Sequence, residues 1–83
     1  LLLTSLSSVW AKEVNFDEVL KNGNYMLQIG ESEKAAAFFA AKVKKYPSSG
    51  ACHTALGRAL KRLGKLDQAK EEFKQATENR RRR

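Results

Sequence analysis

Apolar positions recur along this chain at three- and four-residue intervals rather than in alternation. Ala55, Leu56, Ala59, Leu60 and Leu63 form one such stripe, and Leu66, Ala69, Phe73 and Ala76 form the next. That period puts each set on one face of an α-helix. Helices are expected over roughly 16–29, 32–46, 50–63 and 66–79. Their ends carry the expected punctuation. Gly30 and Gly64 stand where the first helix of each pair must stop and turn, and Pro47 stops the second helix at Tyr46. Asn15 and either Ser48 or Ser49 are suited to cap the helices that follow them. The fold class is therefore all-α.

The pattern repeats. A shift of 34 positions aligns Gly23 with Gly57, Gly30 with Gly64, Ala35 with Ala69 and Phe39 with Phe73. Similar residues align as well: Met26 with Leu60, Ile29 with Leu63, Glu33 with Asp67. A helix-turn-helix unit of this period resembles the tetratricopeptide repeat. In the second unit Leu56, Gly57, Leu60, Gly64, Ala69, Phe73 and Ala76 carry the resemblance; in the first, Gly23, Met26, Gly30, Ala35, Phe39 and Pro47 do. There are departures. Asn22 and Lys42 replace an expected leucine and an expected small residue, Val19 and His53 stand where the signature has tryptophan, and Arg81 stands where it has proline. The resemblance implies a short α-solenoid of two units, 16–49 and 50–83, with Phe39 and Phe73 as core residues.

Residues 1–15 differ in composition. From Leu1 to Ala11 the chain is apolar and serine-rich, with no charge before Lys12. Leu2, Leu3, Leu6, Val9 and Trp10 recur at helical spacing, as in a capping helix. Eleven uncharged residues are too few to span a bilayer, yet they fit the end of a longer membrane helix. Val9 and Ala11 also imitate the small-residue cleavage site of an export or organelle-lumen signal. These three alternatives stay open. They lean towards a membrane-associated, organellar or exported setting, with a cytoplasmic one as the alternative. About three stacked repeats are ordinarily needed to bury a stable core. Two repeats, and Leu1 in place of an initiating Met, lead to the expectation of a fragment or of a subunit held inside an assembly.

Composition narrows the chemistry. At 83 residues the chain has room for one small domain without a deep catalytic cleft. A lone Cys52 forms no internal disulfide, and one Cys with one His falls short of a zinc ligand set. Cys52 and His53, adjacent on a helix, point about 100° apart and do not form a nucleophile–base pair. Cys52 is expected as a small half-buried thiol and His53 as a packed or surface imidazole. No Gly-rich phosphate loop or hydrolase motif is present. Neither an enzyme nor a cofactor is expected.

The net charge of +7 is unevenly spread. Residues 1–15 sum to zero, 16–49 to +1 and 50–83 to +6. Part of this is the run Arg80, Arg81, Arg82 and Arg83, which suits nucleic acid, anionic lipid or an acidic subunit, or is simply a repelling helix end. No aromatic residues surround it for stacking on bases. On the second helices, Glu71 and Glu72 interleave with Lys70, Lys74 and Gln75 and are expected to form local i,i+3 and i,i+4 pairs along a solvated face.

The family resemblance implies that the first helix of each unit lines a concave groove. It assigns Asp17, Leu20, Lys21, Asn24, Leu27 and Gln28 to that face, and Ala51, Thr54, Ala55, Arg58, Lys61 and Arg62 in the second unit. Helical spacing by itself groups Arg58, Lys61 and Arg62 into one basic strip. Guanidinium groups hold carboxylates bidentately, so the strip fits an acidic peptide or protein. Of the clamp used by the chaperone-binding members only Asn24 agrees, since Leu20 and Ala55 occupy two of its polar positions; that activity is not expected. The partner-binding set is then Lys21, Asn24, Gln28, Arg58, Lys61 and Arg62. The expected function is a non-catalytic interaction scaffold, an accessory or assembly subunit of a larger complex, membrane-bound if residues 1–11 anchor it. A nucleic-acid- or ribosome-associated factor acting through the basic second half is the alternative.

Overall fold

The computed structural model describes residues 14–81, with side chains to residue 79. The three readings of residues 1–11, and the side chains of the Arg80–Arg83 run, lie outside the described residues. All regular structure within them is helical: α1 (Phe16–Val19), α2 (Lys21–Gln28), α3 (Ser32–Lys45), α4 (Gly50–Arg62) and α5 (Leu66–Arg81). The first expected helix is thus interrupted. Leu20 (φ −95°, ψ 1°) separates α1 from α2, although its N–H still reaches Phe16 O and its carbonyl still receives Asn24 N. Leu20 points into the core, only 6% exposed, so burial holds it where the backbone bends.

Local chemistry explains the ends. Asn15 Oδ1 accepts from the N–H groups of Asp17 and Glu18, and Ser49 Oγ accepts from Cys52 N–H at 3.2 Å. Of the two serines, Ser49 is the cap. Helix α2 ends with Gly30 at φ +86° and α4 with Gly64 at φ +80°. The closing bonds match: Glu31 N to Met26 O and Gly30 N to Leu27 O after α2, Lys65 N to Leu60 O and Gly64 N to Lys61 O after α4. This is the Schellman arrangement, whose left-handed residue is cheapest as glycine.

Each helix packs chiefly on its neighbours in sequence, with the α4–α5 and α3–α4 contacts the most extensive. Helix α4 is central, burying Cys52, His53, Ala55, Leu56, Gly57, Ala59 and Leu60. Cys52, expected to be a half-buried thiol, is fully buried. Helix crossings rest on missing side chains. A Cβ on Gly57 would come within 2.7 Å of Phe73 Cε1, and one on Gly23 would strike the Phe39 ring and approach Phe38 Cδ2 to 2.7 Å. The glycines let the rings lie against backbone. Phe39 is fully buried, while Phe73 is half-buried against the same core. Lys42, at a position where the sequence pattern expects a small residue, lays its Nζ 5.0 Å from the Phe38 ring centre.

Candidate functional site

Helical spacing assembles a groove from two elements. Asp17, Leu20 and Asn24 on α1 and α2 face Ala51, Thr54, Ala55 and Arg58 on α4. The open space between them, about 460 Å³, is also lined by Ser48 and Gly50 from the loop and start of α4, and by Ala76 and Asn79 from α5. Leu20 and Ala55 are buried in its floor. The short side chains of Gly50, Ala51 and Ala55 leave that floor close to the α4 backbone.

At the α4 C-terminal end the groove is basic. Arg58 Nη2 donates to Asn24 Oδ1 at 3.2 Å, and Arg62 Nη1 donates to the Leu27 carbonyl at 2.8 Å. Both bonds cross between the helices and orient the guanidinium groups without neutralising them. The ion pairs among the described residues are Lys21–Glu18, Lys34–Glu31 and His53–Glu72, so Arg58, Lys61, Arg62 and Asp17 have no opposite charge beside them there. Arg58, Lys61 and Arg62 together line an adjoining open pocket of about 400 Å³.

Three residues assigned to the concave face sit elsewhere. Lys21 reaches Glu18 at 4.0 Å on the exposed surface, and neither it nor the exposed Gln28 lines either pocket. Leu27, only 4% exposed, is in the core and offers its carbonyl rather than its side chain. The pairing expected along α5 is corrected too, because Glu72 turns inward to His53 and leaves Lys70 and Lys74 out of the ion pairs of the described residues.

His53 was expected as a packed or a surface imidazole; it is packed, and its partners were not foreseen. The residue is 6% exposed, with Nε2 2.8 Å from the Pro47 carbonyl and Nδ1 2.7 Å from Glu72 Oε1. The carbonyl can only accept, so Nε2 carries the hydrogen. The same carbonyl receives Asn79 Nδ2 at 3.4 Å. This knot ties the α3–α4 loop to α5 at the groove end that Ser48 and Asn79 line. The visible signal was a polar ring where the family resemblance expects tryptophan; nothing local pointed to Glu72 or Asn79.

Among the described residues no group of three His, Cys, Asp or Glu could hold a metal ion, and no helix is long and apolar enough to cross a membrane. The groove lining contains hydroxyl, amide, carboxylate and guanidinium groups but no His or Cys, a chemistry suited to recognition. Compared with known proteins, the chain matches no family model, no curated protein and no solved structure.

Proposed function

We propose that this chain is a non-catalytic protein–protein docking module made of two tetratricopeptide-type repeats, whose groove receives a partner segment of acidic character. The observation that carries the reading is the groove. Seven of its lining residues, Asp17, Leu20, Asn24, Ala51, Thr54, Ala55 and Arg58, are those that the family resemblance assigns to a concave face. The glycine-on-phenylalanine contacts and the glycine-terminated turns, each recurring 34 positions on, support the repeat architecture. A module of this kind acts as an accessory or assembly subunit of a larger complex.

The basic strip supplies the test. Arg58, Lys61 and Arg62 are exposed, so replacing all three with alanine should leave the helical circular dichroism and cooperative unfolding in place. Affinity capture with the 83-residue chain should retrieve a partner that the triple variant loses. Equal capture by both would remove the groove from the reaction.

A further inference from the structure

Three cations of α4 stand together with little negative charge to balance them. Arg58, Lys61 and Arg62 line an open pocket of about 400 Å³, and Arg58 also lines the groove, so the two spaces meet at that residue. Two of the three are already held. Arg58 Nη2 donates to Asn24 Oδ1 and Arg62 Nη1 to the Leu27 carbonyl, each bond using one of the five N–H donors of its guanidinium. Lys61 is exposed and has no ion pair among the described residues. The C-terminal end of the helix supplies about half a negative charge. Arg62 also borders a hollow shared with Glu31, Glu33 and Lys34, where Glu31 is paired with Lys34 at 3.3 Å and only Glu33 lacks an ion pair among the described residues. Asp17 lines the groove but not the pocket. A surplus of more than one positive charge remains.

Resting on the docking reading above, we infer that this pocket receives a phosphorylated side chain of the partner segment held in the groove. Charge selects the group. A phosphoserine or phosphothreonine carries a charge of about −1.5 to −2 at neutral pH and three acceptor oxygens. Those oxygens suit two planar guanidinium forks and one ammonium, which residues three and four apart on a helix bring to the same side. A single carboxylate has one charge and two oxygens, so it engages one fork and leaves the other cations unmatched. Two carboxylates carry the charge but repel each other when drawn to one place. The phosphodiesters of RNA and lipid carry one charge each and match the pocket no better than a carboxylate. Continuity selects the source. A polypeptide resting on the floor of Leu20 and Ala55 meets Arg58, and from there a side chain enters the pocket. The bonds to Asn24 and Leu27 restrain both guanidinium groups beforehand, so less side-chain freedom is lost on binding.

The test is retention of the intact 83-residue chain on three arrays of random peptides at physiological salt. The arrays differ only at the centre, which is serine, phosphoserine or a Glu-Glu pair. Lys61→Glu is the variant, because it reverses one exposed charge without touching the two guanidinium bonds; circular dichroism checks its fold. The phosphoserine array is expected to hold the chain about tenfold or more better than either of the others, the scale of one added charge-assisted contact. Lys61→Glu should lose most of that preference. Retention that ignores the central residue, or a phosphoserine preference that Lys61→Glu leaves intact, would overturn this inference while leaving peptide docking in place. Displacement from phosphoserine peptides by mixed RNA or phosphatidylserine vesicles at equal phosphate concentration would also overturn it, since the pocket would then take any phosphate. Retention on none of the arrays would overturn it as well; the docking reading falls only if affinity capture also retrieves no partner.

Discussion

His53 shows how much a single side chain can hold in a small helical protein. Its ring is buried between α4, α5 and the α3–α4 loop, and both nitrogens face oxygen. A hydrogen bond to the Glu72 carboxylate is charge-assisted. Replacing His53 with alanine removes two bonds at once and leaves the Glu72 carboxylate, already largely buried, without its partner. A loss of about 2–3 kcal/mol is expected, because hydrogen bonds to charged groups contribute more than neutral ones and a cavity is added. Urea unfolding measures it; a variant as stable as the wild type would mean that the knot contributes nothing. Lys21 teaches the opposite lesson. Its contact with Glu18 joins two side chains more than 70% exposed, and such pairs are screened and weak.

Helix ends account for much of what positions the groove. Gly64 turns the chain from α4 into α5 at φ +80°, and nothing lies within 4 Å of where its Cβ would be. A substitution there therefore meets strain in the backbone and no clash. Gly64→Ala should cost about 1 kcal/mol, the penalty of placing an L residue in the left-handed region, and Gly64→Asn should cost less. Thermal unfolding of the two variants checks the order, and equal midpoints would count against it. Gly57 is the contrasting case: its helical backbone tolerates any residue, but the Phe73 ring occupies the space a methyl group would need. Two glycines seven positions apart thus act by different physics, one through φ and the other through packing.

Taken together, the described helices pack into one all-helical body in which α4 contacts both α3 and α5, while most of the net charge lies in the second half of the chain. A protein with a formal charge of +7 attracts any polyanion at low ionic strength. Binding of mixed RNA is expected in dilute buffer and should fall by about a hundredfold or more on reaching physiological salt, as counterion release dictates. Filter binding across a salt series measures this. Retention of tight RNA binding at physiological salt would favour a nucleic-acid role over the docking role, since a diffuse positive surface alone cannot sustain it.

Helix positions, their caps and their glycine stops were legible in the chain because they depend on residues three to six apart. Asn15, Ser49, Gly30 and Gly64 all do locally what their types dictate. The face of α4 that carries Arg58, Lys61 and Arg62 was legible for the same reason. The break at Leu20 was not, since periodicity runs through it and the pull of the core decides the bend. Nor were the bonds that complete the site. Arg58 to Asn24 spans 34 positions, Arg62 to Leu27 spans 35 and His53 to Glu72 spans 19. Each depends on how one helix is rotated and advanced against another, which follows from how rings fit over glycines rather than from any local preference. Asn79 reaches the groove, and Lys21 and Gln28 stay outside it, through that same rotation.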